Sequence, residues 1–174
     1  MSIGDNNIAK SKHLAGTLMI MLLFIGTLQI YLYSSMLPQK IATHFNAHGQ
    51  ADGWMSHRAF ILYSIGMFYF MGGIFLLSGW VIPKLPTELI NIPNRGYWLH
   101  PARKEQAVEV LITYLYWIGV STILFLLILT QMTILANIHQ SIISSKIFWT
   151  VTGSYIVCIF TLGWKMYRYF KPTH

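Results

Sequence analysis

Four apolar runs, residues 14–36, 59–82, 110–136 and 147–164, contain no Asp, Glu, Lys, Arg or His. That absence constrains the fold more than any other feature of the chain. The first run alone, written as a helix, extends roughly 34 Å, enough to cross a hydrocarbon core ~30 Å thick. Inside such a core every backbone N–H and C=O must be paired within the protein, which a helix does by itself. The runs therefore predict an all-α polytopic membrane protein, four transmembrane helices in one small bundle, with residues 1–174 as a single domain. Only 10% of residues are charged and 55% are hydrophobic, whereas a soluble domain carries about a quarter charged residues. The first run is too long for an ordinary signal-peptide core and lacks a small-residue cleavage site, so it reads as a retained span.

The formal charge is +7. In a soluble protein that excess suggests nucleic acid. Here the basic residues stand at the ends of apolar runs, where they orient the chain and meet anionic lipid head groups, so the partner is the lipid bilayer and not nucleic acid. Nine Lys and Arg fall on the tail before the first run, the second connection and the tail after the fourth, and three fall on the first and third connections. The positive-inside rule then places both termini and the loop 83–106 in the cytoplasm, with the loop 37–58 outside. Met1–His13 reads as a loose polar tail.

Local signals refine the ends of the spans. Ser56 is placed to N-cap the second helix, with Met55 and Phe60 at the spacing of a hydrophobic staple. Pro83 and Pro86 end that helix. Gly66 with Gly73, and Gly72 with Gly79, recur every seven residues and predict a smooth face for a close neighbour. In the cytoplasmic loop, Asn94–Gly96 is a turn signal and Tyr97–Trp98 an interfacial anchor. Pro101 fits the first turn of a helix that continues amphipathically through Glu109 into the third span. Gln29 and Gln131 are the notable polar residues of the spans, expected either to bond across helices or to line an outward pocket. Cys158, the only cysteine, reads as a small packing group; one cysteine forms no intramolecular disulfide and no Cys-based zinc site.

The outer loop, Leu37–Arg58, concentrates the remaining chemistry. Its candidate ligand-binding residues are His44, Asn46, Asp52 and Trp54. Asp52 is the sole acid on the outer side, so a partner among His44, Lys40 and Arg58 is electrostatically favoured. His44 and His48 stand four apart, which on a helix puts both imidazoles on one face, as zinc requires. Gly49, Gly53 and the turn chemistry of Asn46–Gly49 argue against a helix there, and no HExxH glutamate is present, so no metal and no cofactor is expected. The chain has no GxSxG, no P-loop and no GxGxxG between a strand and a helix, so no enzymatic activity is expected. A loop needed only to join two spans can be a few residues long; this one is either a packed cap or a binding surface.

The same loop carries a resemblance. Leu37-Pro38, Ile41, His44-Phe45-Asn46, Gly49, Asp52, Trp54 and Ser56 match the pattern LP-x-x-I-x-x-HFN-x-x-G-x-x-D-x-W-x-S. That pattern resembles a bacterial membrane domain of unknown function, which also occurs at the N-terminus of the sporulation-delaying-protein immunity family. Ile92-Pro93-Asn94 with Tyr97-Trp98-Leu99 and Pro101 is similar to a second motif of those relatives. The resemblance implies a multi-pass protein of the bacterial cytoplasmic membrane with a role in immunity, sensing or envelope stress. The expected function is recognition at the outer face, of a hydrophobic peptide or another membrane protein. The alternative is a structural or accessory subunit of a larger membrane complex, with a metal-assisted membrane enzyme third.

Overall fold

A computed structural model of the chain describes residues 3–171, with side chains from Asn6 onward. Four helices are long and apolar enough to cross a membrane: α1 (Ile3–Ser34), α2 (His57–Val81), α4 (Lys104–Ile138) and α5 (Ser145–Phe170), with a single turn, α3 (Arg95–Trp98), between the second and third. The four-span all-α bundle is as expected. Every span is embedded in a helix whose ends extend past the apolar run or stop within two residues of it. The tail read as loose is helical from Ile3, because Lys12 finds a partner on α4; Met1 and Ser2 lie outside the described residues.

One element departs from the expectation. The loop between α1 and α2 is a two-stranded antiparallel hairpin, β1 (Lys40–Phe45) and β2 (Ala51–Ser56). Lys40 pairs with Ser56, Ile41 with Met55 and Ala42 with Trp54, and the register then slips on either side of His44. The turn chemistry of residues 46–49 thus closes a hairpin. Ser56 ends β2 and caps α2, its Oγ accepting from the Ala59 amide at 3.3 Å.

α4 is the centre of the bundle: α1, α2 and α5 all pack against it, and α1 also packs against α2. Three buried clusters follow its length. At the hairpin end Leu37, Ile41, Phe60 and Ile134 join, with Met55 against them, as the staple predicts. Met19, Leu23, Ile30, Phe68, Ile123 and Leu127 fill the middle. At the other end Ile90, Ile92, Leu99 and Phe170 close on the first turns of α4.

Polar side chains settle several expectations. Gln29 and Gln131 bond across α1 and α4, the Gln29 Nε2 donating to Gln131 Oε1 at 2.5 Å and to the Leu127 carbonyl at 3.3 Å, and both also line an open depression between these helices. Near the termini, Lys12 meets Glu109 at 2.6 Å, an ion pair between the same two helices. Trp98 is a tertiary dock, half-buried, its Nε1 donating to the Phe170 carbonyl at 3.0 Å. Pro101 lies in a turn before α4, whose first amides turn back to the His100 carbonyl. Of the glycine face, a Cβ on Gly72 meets Leu23 at 2.8 Å and one on Gly79 meets the Tyr116 hydroxyl at 2.1 Å. Gly66 and Gly73 have open space instead, so only one of the two glycine pairs is a packing surface.

Candidate functional site

The hairpin turn is built by Asn46. Its Oδ1 accepts from the amides of His48 (2.9 Å) and Gln50 (3.1 Å), and its Nδ2 donates to Gln50 Oε1 at 3.2 Å. Gly49 completes the turn at φ +77°, where a Cβ falls 1.8 Å from the Ile143 carbonyl oxygen, so side chain and conformation both demand glycine. The turn is tied to the link between α4 and α5. The Ile143 amide donates to the Gly49 carbonyl at 3.0 Å, and Ser145 Oγ to the Ala47 carbonyl at 3.0 Å. The outer edge of β1 is held by Asn137 of α4. Its Oδ1 accepts from the Ala42 amide and its Nδ2 donates to the Ala42 carbonyl, each at 2.8 Å. A side-chain amide thereby pairs an otherwise open strand edge.

Asp52 takes His44 as its partner, through Oδ1 and the imidazole Nδ1, of the three partners electrostatics nominated. The pair is largely outward, the His44 side chain 75% exposed. Lys40 lies instead over the Trp54 ring, 5.1 Å from its centre. The other histidines at the hairpin end are dispersed: His48 sits in the turn, His57 donates through Nε2 to the Ser34 carbonyl at 2.8 Å, and His139 follows the last turn of α4. Among the described residues no group of three or more His, Cys, Asp or Glu is placed to hold a metal ion.

A cavity of about 470 Å³ opens between the turn and the helices α4 and α5. Its lining is polar at His44, Asn46 and Ser145 and apolar at Leu129, Met132, Phe148 and Trp149. This combination suits an amphipathic ligand. Three of the four sequence-nominated residues meet here, His44 and Asn46 in the wall and Asp52 through its bond to His44. Trp54 does not. It stands opposite Ala42 and lines a separate depression with Lys40, Gln50 and Asn137. The reading from sequence missed the α4 and α5 side chains and Asn137. Only the aromatic pair Phe148-Trp149 at the start of the last span was a signal that could have found them.

The sequence profile described as "Domain of unknown function (DUF1648)" matches residues 19–67. The matched stretch holds the whole hairpin and the parts of α1 and α2 that flank it. No curated protein and no solved structure is significantly similar to the chain.

Proposed function

We propose that this integral membrane protein recognises a hydrophobic peptide at the hairpin face, acting by binding and not by catalysis. In this reading it lies in the bacterial cytoplasmic membrane with both termini inside, and its role is sensing or immunity-like. The cavity beside the hairpin turn carries the reading. Its polar and aromatic lining offers a peptide both backbone partners and apolar contact, and in this orientation it lies where a ligand arriving from outside first meets the bundle. Exposure of the His44–Asp52 pair supports binding over chemistry, since a catalytic dyad works best where water is excluded.

The test is capture in the membrane. A benzophenone amino acid in place of Met132 is expected to crosslink a peptide in bacterial membranes. Asp52→Asn in the same background is expected to abolish capture while expression and melting temperature stay near wild type. Capture that falls only in proportion to folded protein would overturn recognition and leave the hairpin a structural cap.

A second reading has its own support. α5 packs mainly on α4 and buries only Phe170 fully among its described residues, leaving Val157, Phe160 and Trp164 outward along the bundle. That face suits an accessory subunit docked in a larger membrane complex. Crosslinks from Phe160 to a defined membrane protein, with none from Met132 to a peptide, would favour it.

A further inference from the structure

A second cavity, of about 230 Å³, lies between α2 and α4 beneath Thr43 of β1. Five hydroxyls line it: that of Thr133 donates to the Leu129 carbonyl, and the other four, those of Thr43, Tyr63, Ser64 and Thr130, have no hydrogen-bond partner among the described residues. Other hydroxyls of the same two helices, Thr133 of this cavity included, are satisfied in the usual way. Thr113, Ser121, Thr122 and Thr133 each donate to the carbonyl four residues earlier, and Ser78 to that of Phe75. Ser64 is the sharpest case, for the residue is only 7% exposed although its oxygen is not itself enclosed. A hydroxyl in such surroundings is unfavourable unless something else supplies the partner.

The position of the cavity limits what that partner is. Ser64 stands seven residues into α2, which is about 10 Å below the hairpin end of the helix. A peptide reaching that depth brings backbone groups that themselves need partners. Besides Tyr63, the lining has no ionisable side chain, so a charged head group gains nothing there. The remaining walls, Phe60, Met67, Phe68, Leu126 and Leu129, are apolar. Uncharged acceptors followed by hydrocarbon are what the ester region of a membrane lipid presents just beneath its head group. We propose that this cavity holds the ester carbonyls of one membrane lipid, with Ser64 and Thr130 donating to them and the acyl chain lying along α2 and α4. The site borders the larger cavity through Thr43, Leu129 and Thr133 but does not depend on a peptide there.

The probe is a phosphatidylcholine carrying a photoactivatable diazirine on its acyl chain, compared with its ether-linked analogue, which lacks the carbonyls. With the full chain in detergent, the ester lipid is expected to label residues 60–68 and 126–133. Unlabelled ester lipid should compete about tenfold better than the ether analogue, as one to two hydrogen bonds require. The double variant Ser64→Ala, Thr130→Val should bring ester labelling down to the ether level. Its melting temperature in lipid-free detergent should not fall, because the hydroxyls it removes had no partner in the protein. Equal competition by ester and ether lipids overturns the proposal, as does unchanged ester affinity in the double variant or a melting point lowered by several degrees without lipid. Asp52→Asn should leave lipid labelling intact, so failure of the peptide reading and failure of this one are separable.

Discussion

Asn137 does at one position what a third strand does along a whole edge. Its amide satisfies both backbone groups of Ala42 and also donates to the Thr133 carbonyl at 2.9 Å, fixing the hairpin to the end of α4. Asn137→Leu keeps the size and leaves both Ala42 groups without that partner, at about 1–3 kcal/mol for each. The expected outcome is a lower melting temperature in detergent and faster hydrogen exchange at the Ala42 amide; unchanged exchange there would show that the hairpin is anchored otherwise. Gly49→Ala should also destabilise, since it combines positive φ, worth about 1–3 kcal/mol of strain, with collision against the Ile143 carbonyl. Gly96→Ala, with open space around the new methyl, should stay close to wild type. The His44–Asp52 pair was legible in the sequence because a lone acid among few cations has few possible partners. Asn137 was not: an amide at the end of an apolar run gives no local sign of a bond to a strand 95 residues away.

At the scale of elements, helices were legible and strands were not, for a reason visible in the hairpin. A half-buried strand announces itself by alternation, yet in β1 Ile41 and Ala42 are buried in succession and the pairing slips beside His44. That irregularity erases the period of two on which a strand is recognised. What survived was the turn, because Asn46 and Gly49 act locally. Glycine spacing on α2 shows the opposite limit. A seven-residue repeat marks a helix face but not which of two neighbouring faces meets a partner, and only Gly72 and Gly79 are covered, by Leu23 of α1 and Tyr116 of α4. Gly72→Leu should therefore impair folding or lower the melting temperature by several degrees, as overpacking at about 1–3 kcal/mol implies, while Gly73→Leu is tolerated. Comparable melting of the two variants in detergent would remove the distinction.

For the molecule as a whole, charge and packing divide it in the same way. The beginning of α1, the connection 82–103 and the end of α5 share one buried cluster, in which Ile8, Ile82, Leu85, Trp98 and Met166 pack against a core that includes Ile90, Leu99 and Phe170. The nine basic residues assigned to the cytoplasm by sequence lie on those segments or beside them, whereas Lys40, Arg58 and Lys146 lie at the hairpin end. A chain inserted with nine cations on the inner side obeys the positive-inside rule, and the reverse insertion carries them across the bilayer. In that insertion, which we propose, the hairpin face looks outward, as recognition of an arriving ligand requires. Single cysteines test this at exposed positions, His48→Cys in the turn and Glu88→Cys in the connection, in a Cys158→Ser background that puts a hydroxyl in place of the thiol facing Ser121. In intact cells a membrane-impermeant maleimide is expected to label the first and to reach the second only after the membrane is opened. Labelling of Glu88→Cys alone from outside would invert the bundle. It would turn the hairpin cavity toward the cytoplasm and take with it the proposal that its ligand comes from beyond the membrane.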